Sequence, residues 1–415
     1  VTPAARIQAA IDILTELGKT DQPADRLIRD FFRARRYAGS KDRAAITERV
    51  YDVLRHRQSF AWRMGGESAR ALVLASVVEE GGDPDLLFTG STFAPKALDE
   101  DEERKVRHKP AGEPPLHVVG EFPPFLESEL KRAFGDGLLR ELAALSERAP
   151  VDLRANTLKA SRDEVLGALR GQGFEAQPAP HAPGGLRLPS GSAGLDRTAA
   201  FANGWFEVQD EAAQIAALLA GAKPGMRVLD LAAGAGGKTL ALAAVMHNEG
   251  EIVACDPRIS ALKQLKLRAA RAGVTCVQIE KEPQGAFDLV FLDAPCSGSG
   301  TWRRQPELRW KIGPKILAER IAAQDALLDQ AARLVKPGGR LVYATCSILP
   351  PENQERVAAF RERHPGFSVL RADAAWREST GAEPPPGVSE FFTASPYATG
   401  TDGFFAALLV REKQA

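Results

Sequence analysis

From Ile7 to about Val78, apolar residues recur every three or four positions, as at Ile7, Ile11, Leu14 and Leu17 and again at Ile46, Val50, Val53 and Leu54. That period places them on one helical face and predicts a bundle of amphipathic helices. The polar positions carry many arginines, namely Arg29, Arg33, Arg35, Arg36, Arg43, Arg49, Arg55 and Arg57. They read either as a solvated helical surface or as a patch facing RNA. Between Gly81 and Pro124 the period lapses into "GGDPD", "LDEDEERKVRHKP" and "GEPP", which are turn and linker signals and predict a domain boundary. Residues 125–205 predict a small α+β module. Two helices ("FLESELKRAFG" and "GLLRELAALSERA") lead to the strand-like "VDLRANTL", and a further helix opens at Ser161 with the capping box "SRDE". After Asp210 the pattern becomes regular. Apolar runs at 226–233, 251–256, 275–280, 287–295 and 340–347 alternate with helix candidates, which predicts an α/β fold with a parallel sheet covered on both faces. "FSVL" (367–370) and "FFAALLV" (404–410) add two strands, one of them expected to run antiparallel at the sheet edge. The expected division is therefore 1–112, 113–205 and 206–415.

Composition narrows the function classes only slightly. The 54 basic and 54 acidic side chains cancel, so total charge names no partner, although a local basic patch for nucleic acid remains compatible with it. Four cysteines without a CxxC pair argue against a disulfide scaffold or a zinc ribbon and predict a reducing, cytoplasmic setting with no metal. The first residues carry Asp12 and Glu16, and no apolar run approaches the about 18 residues of a membrane span. No membrane association is expected.

In a sheet of this kind ligands sit beyond the carboxyl ends of the strands, so residues just after each strand are read chemically. After the first comes "LAAGAGGKT", containing Ala232, Ala233, Gly234, Ala235, Gly236, Gly237 and Lys238. Its glycines let backbone approach a ligand at a helix amino end. A nucleotide-triphosphate loop is excluded, because its first glycine falls on Ala232. The second strand ends in Asp256, suited to ribose hydroxyls of either a nicotinamide dinucleotide or S-adenosylmethionine. The fourth ends in "DAPCSGSGTWRRQPELRW", with Asp293 and Cys296, and the fifth in "ATCS", with Cys346. Cys255 and Cys276 lie inside strands and read as packing residues.

These strings carry a family resemblance. "DAPCSGSGTWRRQPELRW" with "YATCSILPPENQERV", together with "LRANTLKASR", "EFPPFLESELKRAFGD", "VQDEAAQ" and "GTDGFFAALL", resembles the Nop/Sun (RsmB-like) RNA cytosine-5 methyltransferases over roughly residues 115–412. "SKDRAAITERVYDVLRHR" is similar to the helical NusB-like domain of some bacterial members. The resemblance implies a Rossmann-like class I methyltransferase sheet, S-adenosyl-L-methionine as cofactor, and RNA as substrate, with ribosomal RNA favoured over transfer RNA because of the front domain. It implies Cys346 as the nucleophile that adds to carbon 6 of cytosine and Cys296 as the helper that releases the methylated product. DNA cytosine methyltransferases use the cysteine of a PC motif instead, so the assignment stays open at this point. Asp293 and Lys238 match positions near the cofactor's reactive end and the target base. Arg303, Arg304, Arg309 and Trp310 form a cationic and aromatic stretch suited to phosphates and stacked bases, and Arg154 and Asn156 read either as structural residues or as contacts to cofactor or RNA.

Two departures accompany the match. Ala232 and Ala235 stand where the family shows Cys and Pro, at positions read through backbone. The aspartate that follows the third strand is missing, with Glu280 the nearest acid and a candidate for its place. The competing readings are a catalytically silent RNA-binding assembly protein of the same fold, which leaves both cysteines idle, and a dehydrogenase, which leaves them unexplained. A monomer is expected.

Overall fold

The computed structural model describes residues 1–35 and 38–413, so Arg36 lies outside the described residues. The chain forms two compact units. One comprises Val1–Lys131, Asp136–Ser146 and Trp302–Gly313, and the other Arg132–Gly135, Glu147–Thr301 and Pro314–Ala415.

The first unit is helical, as the period predicts: α1 (Pro3–Leu17), α2 (Ala24–Ala34), α3 (Ser40–Arg55), α4 (Arg57–Met64) and α5 (Ala69–Glu79). Thr2 and Ser68 cap α1 and α5 by accepting from Ala5 and Ala71 N–H, satisfying donors that a helix start leaves open. Ile13, Val50, Val53, Val73 and Leu74 are fully buried between the helices, each stabilising the unit by roughly 2 kcal/mol.

The arginine positions turn out less exposed than the pattern suggests. Arg55 is buried, Arg49 bonds Ser76 and Glu80, Arg57 bonds Glu67, and Arg35 lies over the Phe31 ring. Arg29 and Arg33 face solvent but pair with Asp25 and Asp30. The linker reading of "LDEDEERKVRHKP" also needs correction, because Glu100–Arg107 is a helix. Asp99 and Glu102 close a capping box, acids fill the first turn and bases the last, which suits the helix dipole.

The segment Trp302–Gly313 belongs to this unit. Trp302 and Arg309 are fully buried. Arg309 donates to Ser146 Oγ at 3.1 Å and to the Leu145 carbonyl at 3.1 Å, and its guanidinium lies 4.8 Å from the Trp302 ring centroid. Trp310 Nε1 donates to the Leu54 carbonyl at 2.6 Å, and Lys311 Nζ donates to that of Gln22 at 2.8 Å. The expected RNA role of Arg309 and Trp310 is thereby corrected, since Arg309 is fully buried and its terminal nitrogens and the Trp310 indole N–H are bonded inside the unit. Arg303 is buried too, and Arg304 half-buried.

The second unit holds two sheets. In the smaller one β1 (Val151–Ala155), β2 (Gln177–Pro178), β3 (Gly185–Leu188) and β4 (Phe206–Val208) are antiparallel in the order β2-β3-β1-β4. The capping box at Ser161 opens the helix Arg162–Arg170 as expected. Arg187 donates to Asp152 at 2.7 and 2.9 Å and to Glu211 at 3.2 Å, tying this sheet to the helix Glu211–Leu219.

The larger sheet comprises β5 (Arg227–Asp230), β6 (Glu251–Ala254), β7 (Val277–Ile279), β8 (Phe287–Asp293), β9 (Val335–Thr345), β10 (Phe367–Leu370), β11 (Phe392–Ala394) and β12 (Phe404–Arg411). The order is β10-β12-β9-β8-β5-β6-β7, with β11 also paired to β12. Strands β5 to β9 are mutually parallel, a Rossmann-like arrangement. The antiparallel strand expected at the edge is β12, which sits one place inward, between β9 and β10. Its run Phe404–Leu409 is buried throughout, and a continuous apolar run of that kind suits an inner strand covered on both faces. Among the described residues no helix is long and apolar enough to cross a membrane.

Candidate active site

The carboxyl ends of the parallel strands collect the residues singled out from the sequence. After β5 the chain turns through Ala232–Gly236 into the helix Gly237–Val245. Gly236 has φ 86° and would place a Cβ only 2.7 Å from Leu265 Cγ, so this position accepts glycine alone and leaves a backbone cradle at the helix start. Asp256, after β6, accepts from Gly234 N–H at 2.8 Å, from Arg258 N–H at 2.8 Å and from the Arg258 guanidinium at 2.9 Å through both oxygens. Burial alone pushes its carboxyl up, but the hydrogen bonds from Arg258 and Gly234 outweigh that and hold it below the usual range. It is an anion positioned beside the glycine turn. Glu280 lies half-buried just after β7, its N–H bonded to the Ala254 carbonyl.

Asp230, at the end of β5, is fully buried; Oδ2 accepts from Thr239 Oγ1 at 2.6 Å, while Oδ1 has no partner. Burial, more than the neighbouring Asp293 and Asp256, pushes its pKa up to about 7 despite the bond from Thr239. An orphaned buried acceptor under a glycine cradle fits a ligand with a donor group.

Lys238 and Asp293 form a pair at 2.5 Å, with the ammonium 5.4 Å from the Phe404 ring centroid. Burial works against the charge of Lys238, yet Asp293, and then Cys346 and Asp230, hold it above the ordinary lysine range. Cys296 and Cys346 are both free and half-buried, with their sulfurs 3.3 Å apart. The hydrogen bond with Cys346, burial and the electrostatic effect of Cys346 and Glu352 push the Cys296 thiol well above its usual range. Cys296 therefore keeps its proton at neutral pH, and that proton lies within reach of the Cys346 sulfur. Backbone hydrogen bonds anchor the Cys346 side of the pair: Gly300 donates to the Cys346 carbonyl at 2.9 Å, and Gly403 donates to the Gly300 carbonyl at 2.8 Å. A Cβ on Gly300 would meet the Gly403 oxygen at 2.0 Å, so this close approach requires glycine at 300.

Of their alternative readings, Arg154 and Asn156 take the structural one. Arg154 is buried and donates to Gln209 Oε1 at 2.7 Å. Asn156 is buried and staples the Gly204 and Ala272 carbonyls at 2.8 Å each. Both hold the unit's interior together. Conversely, Asp230, Glu352, Ser297 and Ser347 were not singled out from the sequence. Ser297 and Ser347 each directly follow a cysteine, and that adjacency was the available signal. Among the described residues no group of three or more His, Cys, Asp or Glu is placed to hold a metal.

Comparison with known proteins adds the family. A model described as 16S rRNA methyltransferase RsmB/F matches residues 216–410, and one described as the RsmF/B-like ferredoxin-like domain matches residues 122–193. The chain belongs to the RsmB/F methyltransferase family. The cofactor of this family is S-adenosylmethionine, which agrees with the glycine cradle, Asp256 and the orphaned acceptor of Asp230. A probable ribosomal RNA small subunit methyltransferase B from Synechocystis sp. is 34% identical over 298 residues, covering 69% of this chain and 66% of that protein. Ribosomal RNA small subunit methyltransferase B from Salmonella typhi is 35% identical, with 70% and 66% covered. The chain thus spans 66% of the length of these curated relatives. The crystal structure of PH0851 superposes with a TM-score of 0.80 at 28% identity, covering 100% of this chain and 99% of that one. A methyltransferase homolog protein from Pyrococcus horikoshii gives 0.61 at 28% identity, covering 71% and 97%.

Proposed function

We propose that this RsmB/F family member methylates carbon 5 of a cytosine in ribosomal RNA through a covalent adduct between Cys346 and carbon 6 of the base. The observation that carries the reading is the 3.3 Å approach of the Cys296 and Cys346 sulfurs at the strand ends, beside the Lys238–Asp293 pair. Carbon 5 of cytosine becomes nucleophilic only after a sulfur adds to carbon 6. Of the two cysteines, Cys346 is the one that interacts electrostatically with the Lys238 ammonium, and a cation beside a sulfur suits the attacking group. This supports Cys346 as nucleophile and Cys296 as the group that serves release of the adduct.

S-adenosylmethionine, when bound, supplies an electrophilic methyl group. The residues suited to hold it are the turn from Ala232 to Gly237, through backbone N–H groups, and Asp256, through ribose hydroxyls. Asp230 offers its free oxygen to a donor, and Glu280 is the proposed neighbour on the adenine side. Asp293 accepts from the exocyclic amine of the base, and Lys238 holds Asp293 in place while presenting a positive charge to the reacting groups. Arg304, half-buried, is proposed for phosphate contact. Residues 1–112 and 113–205 are proposed to serve RNA recognition, and 206–415 the chemistry.

The test is methylation of small-subunit ribosomal RNA and of transfer RNA by the purified chain with methyl-labelled cofactor, followed by nucleoside analysis. Label in 5-methylcytidine from ribosomal RNA is the expected result. Label from transfer RNA alone would correct the substrate, and label in another nucleoside would overturn the chemistry.

A further inference from the structure

Glu352 closes the 3-10 turn Pro350–Glu352, seven residues beyond the end of β9, and is fully buried. Its Oε1 accepts from Ser297 N–H at 2.8 Å and from Gln324 Nε2 at 3.0 Å. Its Oε2 accepts from Ser297 Oγ and from Ser347 Oγ, each at 2.5 Å. All four donors are neutral. Two belong to the residue after Cys296 and one to the residue after Cys346, so a single carboxylate ties the two cysteine turns together.

The surrounding bonds serve the same end. Ser299 Oγ lies 3.0 Å from Ser347 Oγ and accepts from Ile348 N–H at 3.0 Å. The neighbouring Asn353 accepts from Thr345 Oγ1 at 2.6 Å and donates to the Ser347 carbonyl at 2.8 Å. Tyr343 Oη donates to the Glu352 carbonyl at 2.6 Å, and Gln324 also donates to the Pro295 carbonyl at 3.0 Å. Burying a carboxylate without a cationic partner is costly, and apolar packing would join two loops at lower cost. What the carboxylate adds is direction, because its two oxygens fix both turns at hydrogen-bond length.

We propose that Glu352 is a positioning residue that sets the spacing of Cys296 and Cys346 and thereby couples attack at one sulfur to release through the other. The coupling rests on the function proposed above, whereas the spacing can be tested without it. Diamide takes two electrons and two protons from a pair of thiols; each sulfur loses its hydrogen, one S–S bond forms, and the reagent is reduced to the hydrazine. Its rate of closing a Cys296–Cys346 disulfide, followed by peptide mass spectrometry, reports how often the sulfurs meet in the full chain.

Glu352→Gln should slow that closure by at least about tenfold while cofactor affinity by calorimetry stays within about twofold. With RNA and cofactor present, kcat should fall and KM for RNA should hold. If Glu352→Gln fails to fold, the double variant Ser297→Ala/Ser347→Ala, which cuts the hydroxyl ties alone, should slow closure by at least about threefold. Closure within twofold of the native rate in the folded variant would overturn the positioning role. A native chain that closes the disulfide quickly, and slowly as Glu352→Gln, yet never methylates RNA, would support the spacing role and overturn the function instead.

Discussion

In the helical unit, the segment Trp302–Gly313 commits its charged and aromatic groups to other parts of that unit. Arg309 bonds Leu145 and Ser146, Trp310 bonds Leu54, Lys311 bonds Gln22, and Glu307 accepts from Ala24 N–H. In the α/β unit, the stretch Asp293–Ser297 begins only nine residues earlier and keeps its reactive atoms at a strand end. Lys238 and Asp293 are half-buried rather than sealed, the sulfurs of Cys296 and Cys346 touch only partly buried, and Asp230 retains an oxygen without a partner. Polar residues of similar type thus stabilise one region and equip the other. What separates the two fates is access: the unpartnered atoms of the helical segment, Trp302 Nε1, Glu307 Oε2 and Arg309 Nε, sit on buried side chains, whereas Lys238, Asp293 and the two cysteines stay partly exposed at the strand ends, where a ligand can reach them.

Substitutions break or sharpen that contrast. Arg309→Met should destabilise the helical unit by about 3 kcal/mol in denaturant unfolding, because buried carbonyls lose their donor. Cofactor affinity should stay within about twofold; a normal stability with impaired RNA binding would instead restore Arg309 to an RNA role. Lys238→Ala should do the reverse, lowering single-turnover methylation by about a hundredfold with little change in the unfolding midpoint. Equal losses of stability and rate would place Lys238 among the structural residues.

The sequence made the strand ends legible for a physical reason. A parallel sheet announces itself by apolar runs between turn residues, and the residues just after each run lie at the carboxyl edge, so the pattern alone places Asp256, Asp293, Cys296 and Cys346 there. The fate of Arg309 and Trp310 was hidden because their partners Leu145 and Leu54 lie 164 and 256 residues away, beyond what spacing can reveal. The same distance leaves Arg154 and Asn156 open in the sequence, since Asn156 reaches the Ala272 carbonyl 116 residues on. Glu352 stood inside a string used for the resemblance, yet its role depends on Ser297, 55 residues away. The antiparallel place of β12 could have been read more closely, for "FFAALL" is too apolar for an edge.

Two smaller effects refine the site side of the comparison. Asp256→Ala should weaken S-adenosylmethionine binding by about tenfold, or about 1.4 kcal/mol, in calorimetry. Unchanged affinity would leave Asp256 as no more than an anchor for Gly234 and Arg258. The smallest effect concerns Cys296, whose thiol is raised first by its bond to Cys346. A raised thiol stays protonated to higher pH, so its alkylation by iodoacetamide should begin above the usual thiol range. In Cys346→Ala the principal cause is gone, and the onset should move to lower pH in a site-resolved mass-spectrometric titration. An onset that does not move would assign the shift to burial instead.

The central claim, that the two touching cysteines act in sequence, is tested most directly by denaturing electrophoresis of each cysteine variant after incubation with RNA and cofactor. Cys346→Ala should form no protein–RNA adduct, because the bond to carbon 6 never forms. Cys296→Ala should accumulate the adduct, because attack proceeds and release stalls. A gel in which Cys346→Ala traps RNA and Cys296→Ala does not would move the nucleophile to Cys296 and contradict the account.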